Sequence, residues 1–168
     1  MFEGFDILDR LNAAIRDRLK KEGGFDEPPS VEVLTERLSD FEQKIKLALM
    51  SKLGLCLIVS TPEIEGGESP LELVAKISVL VSENVLQNQS SGGTRITASS
   101  AALRVYLALL DWAPEEWSNL RPLPDVAAIR LTGGQSDGSP VLTYEVALRA
   151  ITALSVEETE PVALSGTP

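Results

Sequence analysis

Between residues 71 and 85 the chain alternates with period two. Leu71, Leu73, Ala75, Ile77, Val79 and Val81 fall on one side, and Glu72, Lys76, Ser78 and Ser82 on the other. Successive side chains of a strand point to opposite faces, so this run predicts one long strand with a buried face. A strand's backbone groups need partners, so the run also demands a sheet around it. At about 15 residues it exceeds the usual five or six. Its polar side carries Val74 and Leu80 as well. Apolar residues on both faces of a long strand make Val74 and Leu80 a candidate assembly surface, or else a flanking loop or the first helix covers them.

The neighbouring segments supply partners for that strand. Residues 55–59 are continuously apolar and predict a central strand. Residues 61–70 hold two prolines and two glycines and predict a loop. A connection that short excludes the usual parallel crossover, so these two strands are expected to be antiparallel. A second hairpin is expected downstream. Its strands are 126–131 and a run in which Leu142, Tyr144, Val146, Leu148 and Ala150 share a face, and its turn is 132–140.

Three helices are expected. Leu8, Leu11, Ile15 and Leu19 share one helical face over residues 7–20, with Asp6 as cap and Gly23-Gly24 as stop. Ser39 or Asp40, each with Glu or Gln three residues later, opens a capping box for a helix over 40–52 that buries Phe41, Ile45, Ala48 and Leu49. Thr97 caps a third helix over 98–111 that is apolar around much of its circumference. Residues 31–37 read as a short edge strand, with a helix as the rival. The expected fold is α+β: an antiparallel sheet of two strand pairs with helices packed on one face. Residues 1–154 form one domain in this reading. Residues 155–168, with Glu157, Glu158 and Glu160, form an acidic, flexible tail.

The chain has few means of doing chemistry. It contains no histidine, which removes the usual general base and zinc ligand. Cys56 is the single cysteine, so an internal disulfide and a multi-cysteine metal site are excluded. Between Leu55 and Leu57 it reads as a small buried hydrophobe. Adjacent acids such as Glu115-Glu116 diverge on any regular element, so no paired-carboxylate centre is expected. Neither a metal site nor a cofactor is expected. The loop Ser91-Gly92-Gly93-Thr94-Arg95 precedes the third helix and is a weak candidate for an anion, since helix N-termini attract negative charge. Trp112 and Trp117 flank Pro114. Either they cover the helix end, or Trp117 anchors an interface.

With 15 basic and 25 acidic residues the formal charge is −10. That disfavours a dedicated nucleic-acid module, which needs clustered Lys and Arg. The first residues, Met1-Phe2-Glu3-Gly4-Phe5-Asp6, have no basic n-region or apolar h-region, and no run is long enough to span a bilayer. A cytoplasmic protein without membrane or sequence-specific nucleic-acid partners is expected.

Three stretches carry a family resemblance: "IKLALMSKLGLCLIVSTP" (45–62), "SENVLQNQ" (82–89) followed by "ITASSAALRVYLALLDW" (96–112), and the closing hairpin over 126–154. In these the chain resembles the tail terminators, the small tail-completion proteins of tailed phages and prophages. The resemblance implies a sheet with helices on one side and an assembly role without catalytic residues. It implies self-association into a ring, commonly a hexamer, that caps the tail tube and joins it to the head connector. It also implies a path from the host cytoplasm during assembly to the tail or neck of the virion. An acidic ring would repel passing DNA, as suits a conduit. The rival reading is a small-molecule or anion-binding domain using the loop over 90–95.

Overall fold

The computed structural model describes residues 6–28, 30–35, 45, 54–89, 96–133 and 141–154. The expected acidic tail lies outside them, as does all of the expected 40–52 helix except Ile45, which is helical. Helix α1 (Ile7–Lys21) buries Leu11, Ile15 and Leu19, the stripe that the spacing predicts. Asp6 stands at its N-cap position without bonding the backbone there. Its carboxylate instead accepts from Arg10 Nη1 at 2.8 Å.

Strands β1 (Glu32–Thr35), β2 (Leu55–Gly66), β3 (Glu72–Asn84), β4 (Arg121–Pro122), β5 (Ile129–Gly133) and β6 (Val141–Ala153) form one six-stranded sheet. Its order is β1-β2-β3-β6-β4, and β5 also pairs with β6. The α+β class holds, but the sheet is not two antiparallel pairs. β3 and β6 run antiparallel in an unbroken register from Glu72↔Ala153 to Asn84↔Val141, which fuses the two expected hairpins into one sheet. β1 pairs with β2 in parallel, Glu32 opposite Cys56 through Thr35 opposite Val59. A parallel neighbour needs a crossover of a dozen or more residues, and residues 36–53 are long enough to make one.

β2 also runs further than the loop reading of 61–70 allows. It continues through Pro62 to Gly66, with a register shift between Ser60 and Glu63. The proline falls within that irregularity, where no described strand takes a hydrogen bond from this position. At the start of β2, Gly54 has φ +62°, and a Cβ there would lie 2.6 Å from the Asn88 nitrogen. Only glycine meets both conditions.

The main core lies between the sheet and two helices, α1 and α3 (Ala98–Leu109). The sheet contributes Leu55, Leu57, Val59, Ala75, Ile77, Val79, Val81, Val146, Leu148 and Ala150. Alternate residues of β1, β2 and β3 point to the opposite face, where Leu34, Cys56 and Ile58 form a second cluster with Leu80 and Ile45 against it. Helical residues therefore touch both faces, not one as expected. The reason lies in the first half of β2: Leu55–Val59 is apolar throughout and buried on both sides, so it requires cover on both.

Candidate assembly surface

Among the described residues, β1 and residues 61–66 of β2 border one side of the sheet, and β4 and β5 border the other. One open edge belongs to β2. Within the described residues β1 pairs with Cys56–Val59, and residues 61–66 have β3 on one side and no described strand on the other. The Gly67 nitrogen donates to the Glu72 carbonyl at 2.7 Å. Counting back by twos from that bond, residues 65 and 63 face β3, and Ile64 and Gly66 turn their N–H and C=O groups outward. The other edge belongs to β5. The Ala147 nitrogen donates to the Ala128 carbonyl at 3.0 Å, so residue 130 also faces β6 while Ile129 and Leu131 turn outward.

Each edge carries an exposed apolar side chain on the helix-bearing face: Ile64, 44% exposed, and Leu131, 48% exposed. On the other face their charges differ. Glu63 and Glu65 share the single ammonium of Lys76, at 2.6 and 2.9 Å. The hydrogen bonds that Lys76 donates, to Glu63 and then to Glu65, push its pKa up to about 12. Arg130 bonds one oxygen of Glu145 through Nε at 2.9 Å and Nη2 at 2.7 Å. Glu145 is further held by Ser78 Oγ at 2.8 Å. Leu103 and Leu107, four residues apart on the outer side of α3, add to the exposed apolar surface.

The three residues proposed from sequence as an assembly surface do not share one environment. Val74 is half-buried between Glu65 and Ile151 of the adjoining strands. Leu80 is half-buried and packs on the second cluster. Trp117 is only 7% exposed and belongs to the main core, so it is no surface anchor. The loop folds back through Leu120 N to Trp112 O at 2.9 Å and Asp111 N to Leu120 O at 3.0 Å. It is then fixed to β6 by Ser118 N donating to the Ile151 carbonyl at 2.8 Å, and by Ile151 N donating to Ser118 Oγ at 2.9 Å. That closure turns the indole inward.

Ser91, Gly92, Gly93, Thr94 and Arg95 lie outside the described residues. The helix they lead into has a carboxylate of its own at its start. Glu83, 3% exposed at the end of β3, accepts from the Ala98 nitrogen through Oε2 and from Asn88 Nδ2 through Oε1, both at 2.7 Å. Asn88 closes the short helix α2 (Val85–Asn88) and also donates to the Ile96 carbonyl at 2.7 Å. Thr97 Oγ1 accepts from Ser100 N at 3.2 Å, the cap the sequence predicts.

An open groove of about 470 Å³ runs beside the end of α1, where Arg18 stacks over Trp112 at 5.4 Å and donates to the Ala108 carbonyl. Charged side chains of its lining are spent in ion pairs, Arg18 with Glu22 at 3.9 Å and Lys20 with Asp26 at 3.8 Å. No three metal-ligating side chains come together among the described residues. Cys56 is fully buried, and burial pushes its thiol up to about 12. No helix among the described residues is long and apolar enough to cross a membrane.

Sequence reading missed the β2 edge because Pro62, Gly66, Gly67 and Pro70 outweighed the alternation Glu63-Ile64-Glu65 that marks it. It missed Glu83 because a single acid within a strand carries no local signal. No protein-family model matches the chain, and no curated protein matches it.

Proposed function

We propose that this chain is a non-enzymatic structural protein that self-assembles and docks on other virion proteins, as the phage tail terminators it resembles do. The observation that carries the reading is that, among the described residues, strand edges lie open on opposite sides of one sheet. An edge with unpaired N–H and C=O groups is a template for another strand, and natural proteins usually blunt it. Two such edges on one body suit a head-to-tail contact, which generates a ring when the rotation closes. The three stretches that carry the resemblance fall on β2, on the end of β3 with α2 and α3, and on β5 with β6. Of these, the end of the first stretch at Thr61-Pro62 and the β5 strand contribute to the two edges. In this reading the partners are further copies of the chain, the tail tube and the head connector.

Size-exclusion chromatography with light scattering tests the self-assembly, over about 1 μM to 1 mM. Concentration-dependent growth to a discrete ring, visible by negative-stain microscopy, is expected. A strict monomer throughout that range, or turnover of a metabolite, would refute the reading. Neighbouring genes for a tail tube and a head connector test the phage assignment separately.

A further inference from the structure

We infer that the β5 edge of one copy pairs antiparallel with the 61–66 edge of β2 in the next copy, with Ile64 opposite Leu131 and Glu65 opposite Arg130. The inference deepens the assembly reading above and rests on it.

Direction comes first. β2 and β6 run the same way, because each is antiparallel to β3, and β5 runs against β6. Side by side in a continued sheet, β5 and the next copy's β2 are therefore antiparallel. Register follows from two independent alternations. The outward-facing backbone groups belong to Ile64 and Gly66 on one edge and to Ile129 and Leu131 on the other. Setting Ile64 against Leu131 sets Gly66 against Ile129, so each outward N–H and C=O meets an outward counterpart. Side-chain faces agree with this choice. Ile64 pairs with Ala75 and Leu131 with Tyr144, both on the helix-bearing face. Glu65 and Arg130 then meet on the opposite face.

Charge selects this arrangement over a two-fold one. Two β2 edges together would bring Glu63 and Glu65 against their own copies, with one lysine for each pair. Two β5 edges would oppose Arg130 to itself. Like charges directly opposite are destabilising and opposite charges stabilise, so the mixed pairing is favoured. Arg130 remains 57% exposed and has donors beyond the two spent on Glu145.

The offset between the edges permits closure. Traced across the sheet, Ile64 is level with Ala150 and Leu131 with Tyr144. That difference of six residues is roughly 20 Å along the strands at ~3.4 Å each. The path between the edges crosses β2, β3, β6 and β5, roughly 19 Å at ~4.8 Å per strand. The ratio requires strands tilted by ~45° to the ring axis, at the upper end of the 35–45° of closed barrels.

The experiment uses the full chain with Ile64→Cys and Leu131→Cys, singly and together, under copper–phenanthroline oxidation. Directly opposed residues of a hydrogen-bonded antiparallel pair have Cα atoms ~5.5 Å apart, within disulfide range. Cys56 is buried and stays out of the reaction. Equal mixing of the two single variants should give covalent dimers. The double variant should give a ladder of multimers, and neither single variant alone should cross-link. A mixture of Leu103→Cys and Ile64→Cys measures collision background. Cross-linking at that background overturns the pairing, as does a dimer from one single variant alone. Native mass spectrometry of the unoxidised samples separates the two failures. Assemblies without the cross-link sink only this pairing, whereas monomers throughout sink the assembly reading with it.

Discussion

Replacing Glu83 by glutamine should cost far more than its small change in shape suggests. Glutamine keeps the size of the side chain but turns one acceptor oxygen into an NH2 group. Whichever way the amide lies, that group faces a donor, either Ala98 N–H or Asn88 Nδ2. One hydrogen bond to a charged group is then lost, worth ~1.5–3 kcal/mol. The attraction between the carboxylate and the N-terminus of α3 is lost with it, a further ~0.3–2 kcal/mol. The sum is ~2–5 kcal/mol. At ~2–4 °C of melting temperature per kcal/mol in a domain of this size, the midpoint should fall by ~4–20 °C. Thr97→Ala serves as a yardstick, because it removes the ordinary cap of the same helix and should cost ~0.5–2 kcal/mol. Urea unfolding followed by circular dichroism measures both, at protein concentrations low enough that association adds nothing. A Glu83→Gln cost below about 1 kcal/mol, or below that of Thr97→Ala in the same experiment, would refute the argued role of this carboxylate.

Three further outcomes are expected. Trp117→Ala should destabilise the fold by ~3–5 kcal/mol in urea, as for a large core side chain; a nearly neutral result would contradict its burial. Cys56 should resist Ellman's reagent at pH 8 in the native protein and react fully in denaturant, and rapid native labelling would rule out a buried neutral thiol. Lys76 has a folded pKa raised from the ordinary 10.5 to about 12, so its pairing stabilises the folded state below pH 10.5 and fades as pH rises through about 12. Between pH 9 and 12 the wild type should therefore lose more stability than Lys76→Met, and parallel pH profiles would count against the link.

Elements whose signal is local were legible in the sequence. The stripe of α1, the cap at Thr97 and the alternation of β3 each follow from residues a few positions apart. Pairings decided by distant residues were not. Nothing in Val31, Val33 or Thr35 says that this strand lies parallel to β2, because direction depends on a crossover whose path is not written in either strand. Nor could either half of the β3–β6 ladder announce the other, since strand patterns specify a face and leave the partner open. The tryptophans show the same limit. Trp112 and Trp117 looked equivalent, and only the loop closure through Leu120 and Ser118 decides which one is buried. The candidate surface suffered most. Val74 and Leu80 stand out in sequence as apolar residues on a polar face, whereas the edges among the described residues are set by which strands pair.

The β3–β6 ladder carries a consequence for how the chain reaches its shape. Its two strands form the middle of the sheet, yet α2, α3 and two shorter strands separate them along the chain. Local helices can form early, but the central seam must wait until both distant segments have met, and closing that gap carries an entropic cost before any pairing rewards it. Until then β2 and β3 present a bare flank, so newly made copies crowded together risk joining one another there first. A protein that builds larger structures through its strand margins has reason to complete its own interior before it meets its neighbours.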